Sequence, residues 1–168
     1  VISGLRAAGL EQGDTIAAMI GNRREFFEVN AAAMHAGWIL VPVNWHWVAD
    51  ELAYVVDDSD AKALIVDGQF RDVAVAAVAD GRADRCPIRI MIDPSPPDGF
   101  TAYEDVVASG DPAEPADQST GGPMFYTSGT TGFPKGVRGS LSAIGNDPSL
   151  FELVAGVFCG LFAITEDG

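Results

Sequence analysis

Short apolar runs alternate with amphipathic stretches between Gly13 and Ile92. Continuous apolar runs bounded by Gly, Asn, Asp or Pro are typical of strands buried on both faces, whereas apolar residues three or four apart indicate helices with one buried face. The predicted strands are Thr15–Ile20, Ile39–Val43, Ala63–Val66 and Ile88–Ile92, and the predicted helices are Ala49–Asp57, Gln69–Ala79 and one that follows Asn22. This alternation predicts an α/β fold with a mainly parallel sheet flanked by helices.

The helix after Asn22 has the clearest boundary signals. Asn22 is expected to cap it, with Glu25 at the third helical position as in a capping box. Its apolar face and its end are expected at Phe26, Val29, Ala33 and Gly37. In the helix Ala49–Asp57, the residues expected to face inward are Leu52, Val55 and Val56.

The C-terminal third of the chain is less regular. Residues 109–122 are rich in Gly, Pro, Asp and Ser and are expected to cross the surface as a connector. The next predicted strand, Met124–Thr127, would present the segment after it at its carboxyl end, where open α/β sheets usually bind ligands. The apolar stretch Leu150–Ile164 is interrupted by Glu152 and is shorter than the roughly 18 residues of a membrane span, so a buried helix or helix plus strand is expected there.

The composition is globular, with a strong acidic excess. A chain of 168 residues that is 48% hydrophobic can form one domain with a sizeable core. Its formal net charge of -14 opposes binding to nucleic acid or to an anionic membrane, because both need a basic surface. The two cysteines, Cys86 and Cys159, have neither metal-ligand spacing nor the pattern of a secreted disulfide framework, which favours a cytoplasmic location.

The segment Tyr126–Val137, YTSGTTGFPKGV, which we call the phosphate loop, contains three glycines, four Ser or Thr hydroxyls and one lysine. Glycine permits backbone angles that direct successive N–H groups at one anion. Lys135 adds a mobile charge, worth roughly 4 kcal/mol against a unit charge at about 4 Å if the effective dielectric is near 20. The residues predicted to bind phosphate are Thr127, Ser128, Gly129, Thr130, Thr131, Gly132 and Lys135, with Lys135 also predicted to be catalytic.

Two other interpretations of this segment, a Walker loop and an ordinary surface loop, are compared with the anion site. In a Walker loop the lysine directly follows the second glycine, whereas Phe133 and Pro134 separate Gly132 from Lys135 here, so the Walker spacing is excluded. An ordinary surface loop rich in Gly, Ser, Thr and Pro would have no particular residue order. The order observed therefore favours an anion site.

Several polar residues are predicted to have structural roles. For His35, a packed or solvated position is favoured over a catalytic one, and for His46, between Trp45 and Trp47, core packing or a packed loop is favoured over a pocket. Asn44 is expected to hold a turn through its side chain. The acidic run Asp57, Asp58 and Asp60 lacks the glycine and distal glutamate of a calcium loop and is interpreted as a solvated helix end.

The string YTSGTTGFPKG resembles the phosphate-binding signature of the adenylate-forming superfamily, which includes acyl-CoA synthetases, peptide-synthetase adenylation domains and luciferases. The segment Gly9–Asp67 is similar to the opening of the same enzymes, with a Gly-Asp pair before a strand, a helix ending in Ala-Gly, a Pro-Val-Asn string and a Glu-Leu-x-Tyr helix. After the loop the chain reads Val137-Arg138-Gly139-Ser140, where many members have a Thr-His pair. That departure leaves the substrate class open.

The resemblance implies an ATP-dependent, AMP-forming acid-thiol ligase, most similar to acyl-CoA synthetases of fatty acid metabolism, that uses ATP, Mg²⁺, coenzyme A and a small-molecule carboxylate. Residues 1–168 are expected to be an N-terminal fragment of the AMP-binding domain, inactive alone, since Val1 lies inside a predicted helix and the family's magnesium, ribose and adenylation-lysine motifs lie downstream of the loop. The alternatives are an amino-acid adenylation fragment and a non-catalytic anion-binding module. The sequence predicts no oligomeric state.

Overall fold

The computed structural model describes residues 1–81, 83–127 and 134–138. The strands are β1 (Thr15–Met19), β2 (Ile39–Pro42), β3 (Ala61–Asp67), β4 (Ile88–Ile92), β5 (Thr101–Ala102), β6 (Gly122–Thr127) and β7 (Lys135–Arg138). The helices are α1 (Ile2–Ala7), α2 (Arg24–Ala36), α3 (Ala49–Asp58), α4 (Arg71–Val78) and α5 (Tyr103–Ala108), and short 3₁₀ turns at Gly68–Phe70 and Ala79–Gly81 flank α4.

Within the described ranges, the strands form one seven-stranded sheet in the order β5-β4-β3-β1-β2-β6-β7. The neighbours from β5 to β6 are parallel, and β7 pairs antiparallel with β6. This arrangement confirms the predicted α/β class with a mainly parallel sheet. The four strands predicted between Gly13 and Ile92 are all present, with ends that differ by no more than two residues.

Helices cover both faces of the sheet, so its central strands are fully enclosed. In β1, Ile16 and Ala18 belong to one core cluster with residues of α1, α2 and α5. Ala17 and Met19 face the opposite way and pack in a second cluster with residues of α3 and α4. All five residues of β1 are buried. Because a strand enclosed on both faces needs no polar side, it has the continuous apolar sequence from which it was predicted.

Helix α2 ends as predicted but begins differently. Gly37 adopts a left-handed φ of +75°, and its N–H donates to the carbonyl of Ala33, which ends the helix. The predicted cap at Asn22 is wrong, because Arg23 holds the N-cap position without a capping side-chain hydrogen bond. The N–H of Arg23 donates to the Gly21 carbonyl at 2.9 Å, and this tight turn moves the first helical residue past Asn22. Glu25 is consequently the second helical residue and not the third.

Some elements were not predicted, and some predictions lie outside the described residues. The short elements β5 and α5, and strand β7, have no counterpart among the predicted elements. The connector is largely exposed between 111 and 118, as predicted, and then becomes attached to α2, where the N–H of Ser119 donates to the His35 carbonyl at 3.0 Å. Residues 150–164 lie outside the described part. In the described part, no helix has both the length and the apolar character to cross a bilayer.

Gly121 provides a test of this packing. A Cβ at this position would overlap the carbonyl oxygens of Ala33 and Trp38. These oxygens belong to the backbone, so they cannot move away without moving the chain around them. We expect Gly121→Ala to lower the free energy of unfolding in urea by about 3 kcal/mol or more. The comparison variant is Gly13→Ala, because Gly13 has a φ of +90° and a methyl group there would have no neighbour within 4 Å, so only backbone strain of about 1–2 kcal/mol is expected. Equal losses in the two variants would contradict the packing explanation.

Candidate functional site

Strands β6 and β7 bring the two ends of the phosphate loop together. Thr127 and Lys135 are direct partners in the antiparallel register, and both are exposed. Lys135 takes part in none of the ion pairs found among the described residues. The other predicted phosphate-binding residues, Ser128, Gly129, Thr130, Thr131 and Gly132, lie outside the described residues.

Tyr126 lies across the hairpin. It is the register partner of Gly136, and a Cβ on Gly136 would be only 3.1 Å from Cζ of the Tyr126 ring. A Cβ on the opposite strand would therefore make the ring shift by a few tenths of an ångström, so glycine at this position lets Tyr126 lie close to the backbone of β7. The other face of the hairpin carries Phe125 and Val137, also register partners, which are 49% and 51% exposed.

Helix α3 holds both sides of the loop through hydroxyl groups. The Tyr126 hydroxyl donates to Oδ2 of Asp58 at 2.6 Å. The Tyr54 hydroxyl lies 3.1 Å from the carbonyl oxygen of Pro134 and 3.3 Å from Oδ1 of Asp58. A tyrosine has one hydroxyl hydrogen, so Tyr54 shares it between these two acceptors. We call this group, Tyr54, Asp58, Tyr126 and the Pro134 carbonyl, the tyrosine clamp.

The clamp hydroxyls remain protonated at neutral pH. Burial, and then the hydrogen bond to Asp58, raise the pKa of Tyr126. Loss of solvent around the ring and the charge of Asp58 also raise the pKa of Tyr54. Both side chains are therefore donors, and the carboxylate is the shared acceptor.

The loop ends lie beside α3. Only Gly122 and Pro123 of β6 pair with β2, opposite Ile39 and Leu40 at the start of that strand. Beyond them, the hydrogen bonds of Tyr126 and Pro134 are with Tyr54 and Asp58 in the second half of α3. The predicted strand before the loop is confirmed, and these contacts place Tyr126 and Pro134 beside α3.

An ion-pair cluster occupies the carboxyl edge between β1 and β3. The connections after these neighbouring strands leave in opposite directions, towards β2 and towards β4, and such a switch point usually forms a ligand crevice. Here Arg23 binds Glu25 through two hydrogen bonds of 2.7 and 2.9 Å and Asp67 through one of 3.0 Å. Asp67 also accepts from the Gln69 side chain at 2.8 Å. The side chains of Glu25 and Asp67 are almost fully buried, so the crevice is filled by the protein itself.

The aromatic cluster after β2 divides into an exposed and a packed part. Asn44 accepts the N–H of His46 at 3.0 Å, which confirms its predicted turn role. Trp47 packs against the core cluster beneath α3 and α4, as predicted for this segment. His46, predicted to pack in the core or in a loop, is exposed and lies on the loop, stacked on Trp45 with ring centroids 3.4 Å apart. Trp45 is 52% exposed and also stacks on Phe70, at 6.2 Å.

The other polar residues singled out from the sequence have surface positions. His35 is exposed, with Nδ1 3.1 Å from Oε1 of Gln118. Asp57 and Asp60 are exposed at the end of α3 and lie 3.8 and 2.8 Å from the guanidinium of Arg85. The predicted solvated helix end is thus confirmed for them. In the ranges that the structure describes, no group of three or more His, Cys, Asp or Glu side chains could hold a metal ion.

Comparison with known proteins identifies the family. The sequence profile described as AMP-binding enzyme matches residues 1–152. The chain therefore belongs to the AMP-binding enzyme family, the adenylate-forming superfamily whose signature the phosphate loop resembles. It is 35% identical over 136 residues to a feruloyl-CoA synthase from an Amycolatopsis species, with 80% of this chain and 24% of the relative covered. It is 32% identical over 135 residues to the fatty acid–acyl-carrier-protein ligase ScoC of Streptomyces coeruleorubidus, with 79% and 24% covered.

Solved structures support the same fold. The N-terminal domain of FACL13 from Mycobacterium tuberculosis, solved with an inhibitor, superimposes with a TM-score of 0.69 at 30% identity, and the match covers 82% of this chain and 34% of that one. The anthranilate CoA ligase AuaEII has a TM-score of 0.73 at 24% identity, over 82% of this chain and 27% of the other, and is similar in fold. The chain spans about a quarter of the length of the feruloyl-CoA synthase and of ScoC.

The clamp residues were not predicted to be part of the site. In the sequence, Tyr54 stands out only within the Glu-Leu-x-Tyr string, and Asp58 only within an acidic run. Their spacing of four on a helix does place both side chains on one face. That signal could have paired them with each other, but not with Tyr126, because 68 residues separate Tyr126 from Asp58.

Glu25 provides a pH-dependent test of the ion-pair cluster. The hydrogen bonds from Arg23 lower its pKa from 4.5 to about 2. The ionised form therefore stabilises the fold above about pH 4.5, and this contribution is lost as the pH falls towards 2. The difference in pKa corresponds to roughly 3 kcal/mol, which we reduce to about 1–2 kcal/mol because water screens the surface side of the pair. We expect Glu25→Gln to lose that amount in urea unfolding at pH 7.

The pH series contains its own internal comparison. The difference in unfolding free energy between wild type and Glu25→Gln should shrink between about pH 4.5 and pH 2, since the wild-type carboxylate then becomes neutral. Glu11→Gln, an exposed position, should track the wild type throughout. A constant difference across that range would show that the charge of Glu25 does not contribute.

Proposed function

We propose that the chain is part of the N-terminal AMP-binding domain of an ATP-dependent, AMP-forming acid-thiol ligase, and that the enzyme is an acyl-CoA synthetase. The observation that carries the proposal is the phosphate-loop signature Tyr126–Val137, within which Thr127 and Lys135 lie opposite each other on a hairpin. Membership of the AMP-binding enzyme family supports it. So do the ligase names of the relatives.

The proposed reaction has two steps. A carboxylate oxygen of the acid attacks the α-phosphorus of ATP, the bond from that phosphorus to the β-bridging oxygen breaks, and pyrophosphate leaves. The sulfur of coenzyme A then attacks the acyl carbon of the adenylate, and AMP leaves as its carbon–oxygen bond breaks. The protein contributes mainly by aligning the phosphates and neutralising their charge.

Within this reaction we assign pyrophosphate binding to the loop. Thr127, Ser128, Thr130 and Thr131 would donate hydroxyls, and Gly129 and Gly132 would let backbone N–H groups approach the β- and γ-phosphates. Lys135 would neutralise charge that develops on the departing pyrophosphate. Mg²⁺ would accompany ATP, but the described residues provide no cluster that fits it, so no ligand for it is assigned to them.

The proposed acid and the proposed thiol acceptor rest on the names of relatives. The names of relatives include a feruloyl-CoA synthase and a ligase that uses an acyl carrier protein. We propose a fatty or aryl carboxylate and coenzyme A. We also propose a cytoplasmic location, which agrees with these substrates and with the free, buried thiol of Cys86. The alternatives, amino-acid activation and anion binding without chemistry, predict adenylation of amino acids and no adenylation respectively.

Lys135→Ala tests the assignment. In the protein expressed from its whole reading frame, acid-dependent exchange of pyrophosphate into ATP should fall about 10- to 100-fold, since each factor of ten corresponds to about 1.4 kcal/mol and the lost charge interaction is worth a few kcal/mol. The unfolding midpoint should not change, because the side chain is exposed. Lys62→Ala is the matched control, because this lysine lies on β3 and pairs with Asp60 at 3.2 Å. Unchanged exchange in Lys135→Ala would refute the proposed role.

A further inference from the structure

The clamp carboxylate presents an electrostatic problem for a phosphate site. Asp58 is tied to Tyr126, which precedes the loop residues, and through Tyr54 to Pro134, which directly precedes Lys135. The formal charge of the chain, -14, includes Asp58, and a negative charge beside bound phosphates would oppose them. The repulsion between Asp58 and bound phosphates would have to be offset by another contribution of this residue to the site. The hydrogen bonds of Asp58 indicate what that contribution is.

Both oxygens of Asp58 are directed at tyrosine hydroxyls. Oδ2 is 2.6 Å from the Tyr126 hydroxyl and Oδ1 is 3.3 Å from that of Tyr54. Hydrogen bonds to an ionised acceptor are about twice as strong as neutral ones. The exposed carboxylate of Asp58 thus accepts from two hydroxyl donors, whereas Asp57, one residue earlier, faces Arg85.

The clamp joins the two sides of the loop to one helix turn. Tyr126 packs against the core cluster beneath α3, its ring covers Gly136, and its hydroxyl ends on Asp58. Beyond Pro123, β6 has no described ladder with β2, so the sheet alone does not fix where Thr127 lies. The hydrogen bonds from α3 supply that constraint. They act on Tyr126 and Pro134, the residues adjacent to Thr127 and Lys135.

From this geometry we infer that Asp58 is a positioning residue for the phosphate loop: it holds Tyr126 and Tyr54 so that Thr127 and Lys135 face the same phosphate group. The inference rests on the proposed function, because it assumes that the loop binds the phosphates of ATP. Asp58 touches neither substrate nor reacting atoms in this role. Its effect should appear in the affinity for MgATP and in the order of the hairpin, more than in the stability of the fold.

The test uses the protein expressed from its whole reading frame, with Asp58→Ala, Asp58→Asn, Tyr126→Phe and two matched controls. Asp57→Ala removes an exposed carboxylate one residue away that pairs with Arg85. Tyr103→Phe removes a hydroxyl that donates to Glu28 at 2.8 Å, in the other core cluster. Kinetic constants for MgATP in pyrophosphate exchange, thermal unfolding midpoints, and hydrogen exchange at the amides of Thr127 and Lys135 without nucleotide are measured for each.

We expect KM for MgATP to rise about tenfold in Asp58→Ala and Tyr126→Phe, as loss of a hydrogen bond to a charged group predicts, with a smaller change in kcat. The amides of Thr127 and Lys135 should exchange faster in both variants. Asp58→Asn should recover most of the affinity, because its amide oxygen still accepts from Tyr126. Asp57→Ala and Tyr103→Phe should keep the wild-type KM, and the unfolding midpoint of Asp58→Ala should match that of Asp57→Ala.

Two results would overturn the inference. One is a KM for MgATP in Asp58→Ala equal to that in Asp57→Ala. The other is a lower unfolding midpoint in Asp58→Ala without a change in KM, which would make Asp58 a structural residue only. Failure of the proposed function can be distinguished from failure of this inference, because the wild-type protein would then show neither pyrophosphate exchange nor MgATP binding. In that case the hydrogen-exchange rates of the Thr127 and Lys135 amides still test whether Asp58 orders the hairpin. Equal exchange rates in Asp58→Ala and Asp57→Ala would refute that role as well.

Discussion

Enclosure of β1 and β3 on both faces governs where the other elements of the fold can lie. Every residue of β1 is buried, and so is β3 apart from Lys62. A parallel pair of this kind needs a helix layer on each side, and right-handed crossovers that run in opposite directions along the sheet place their helices on opposite faces. Helices α1, α2 and α5 form one layer and α3 and α4 the other. The position of α3, which holds the ends of the phosphate loop, follows from this requirement.

The site depends on hydrogen bonds between α3 and the hairpin of β6 and β7, in addition to the apolar packing of the sheet. Strand β6 is joined to the parallel sheet by two residue pairs, and the remainder of the hairpin depends on α3 for its position. A few hydrogen bonds can fix the positions of Tyr126 and Pro134 beside α3 without burying them in the core. The Arg23 cluster does the opposite at the carboxyl edge, where it fills the switch-point crevice with paired charges.

Charge is organised separately in these two regions. The chain is acidic overall, yet the buried carboxylates Glu25 and Asp67 are both paired with Arg23, and Asp58 is bound by hydroxyls. Lys135 is in none of the ion pairs found among the described residues.

Local patterns in the sequence were sufficient to predict the α/β class, the strands between Gly13 and Ile92, the end of α2 at Gly37 and the family signature of the loop, because continuous apolar runs and glycine-rich order are local properties. They were not sufficient for the start of α2, the pairing of β7 with β6, or the short elements β5 and α5. They also did not reveal the clamp, since Tyr54, Asp58 and Tyr126 meet only after the chain folds. A hydrogen bond between residues 68 positions apart depends on how helix and hairpin pack against each other, and that packing is a property of the folded molecule as a whole.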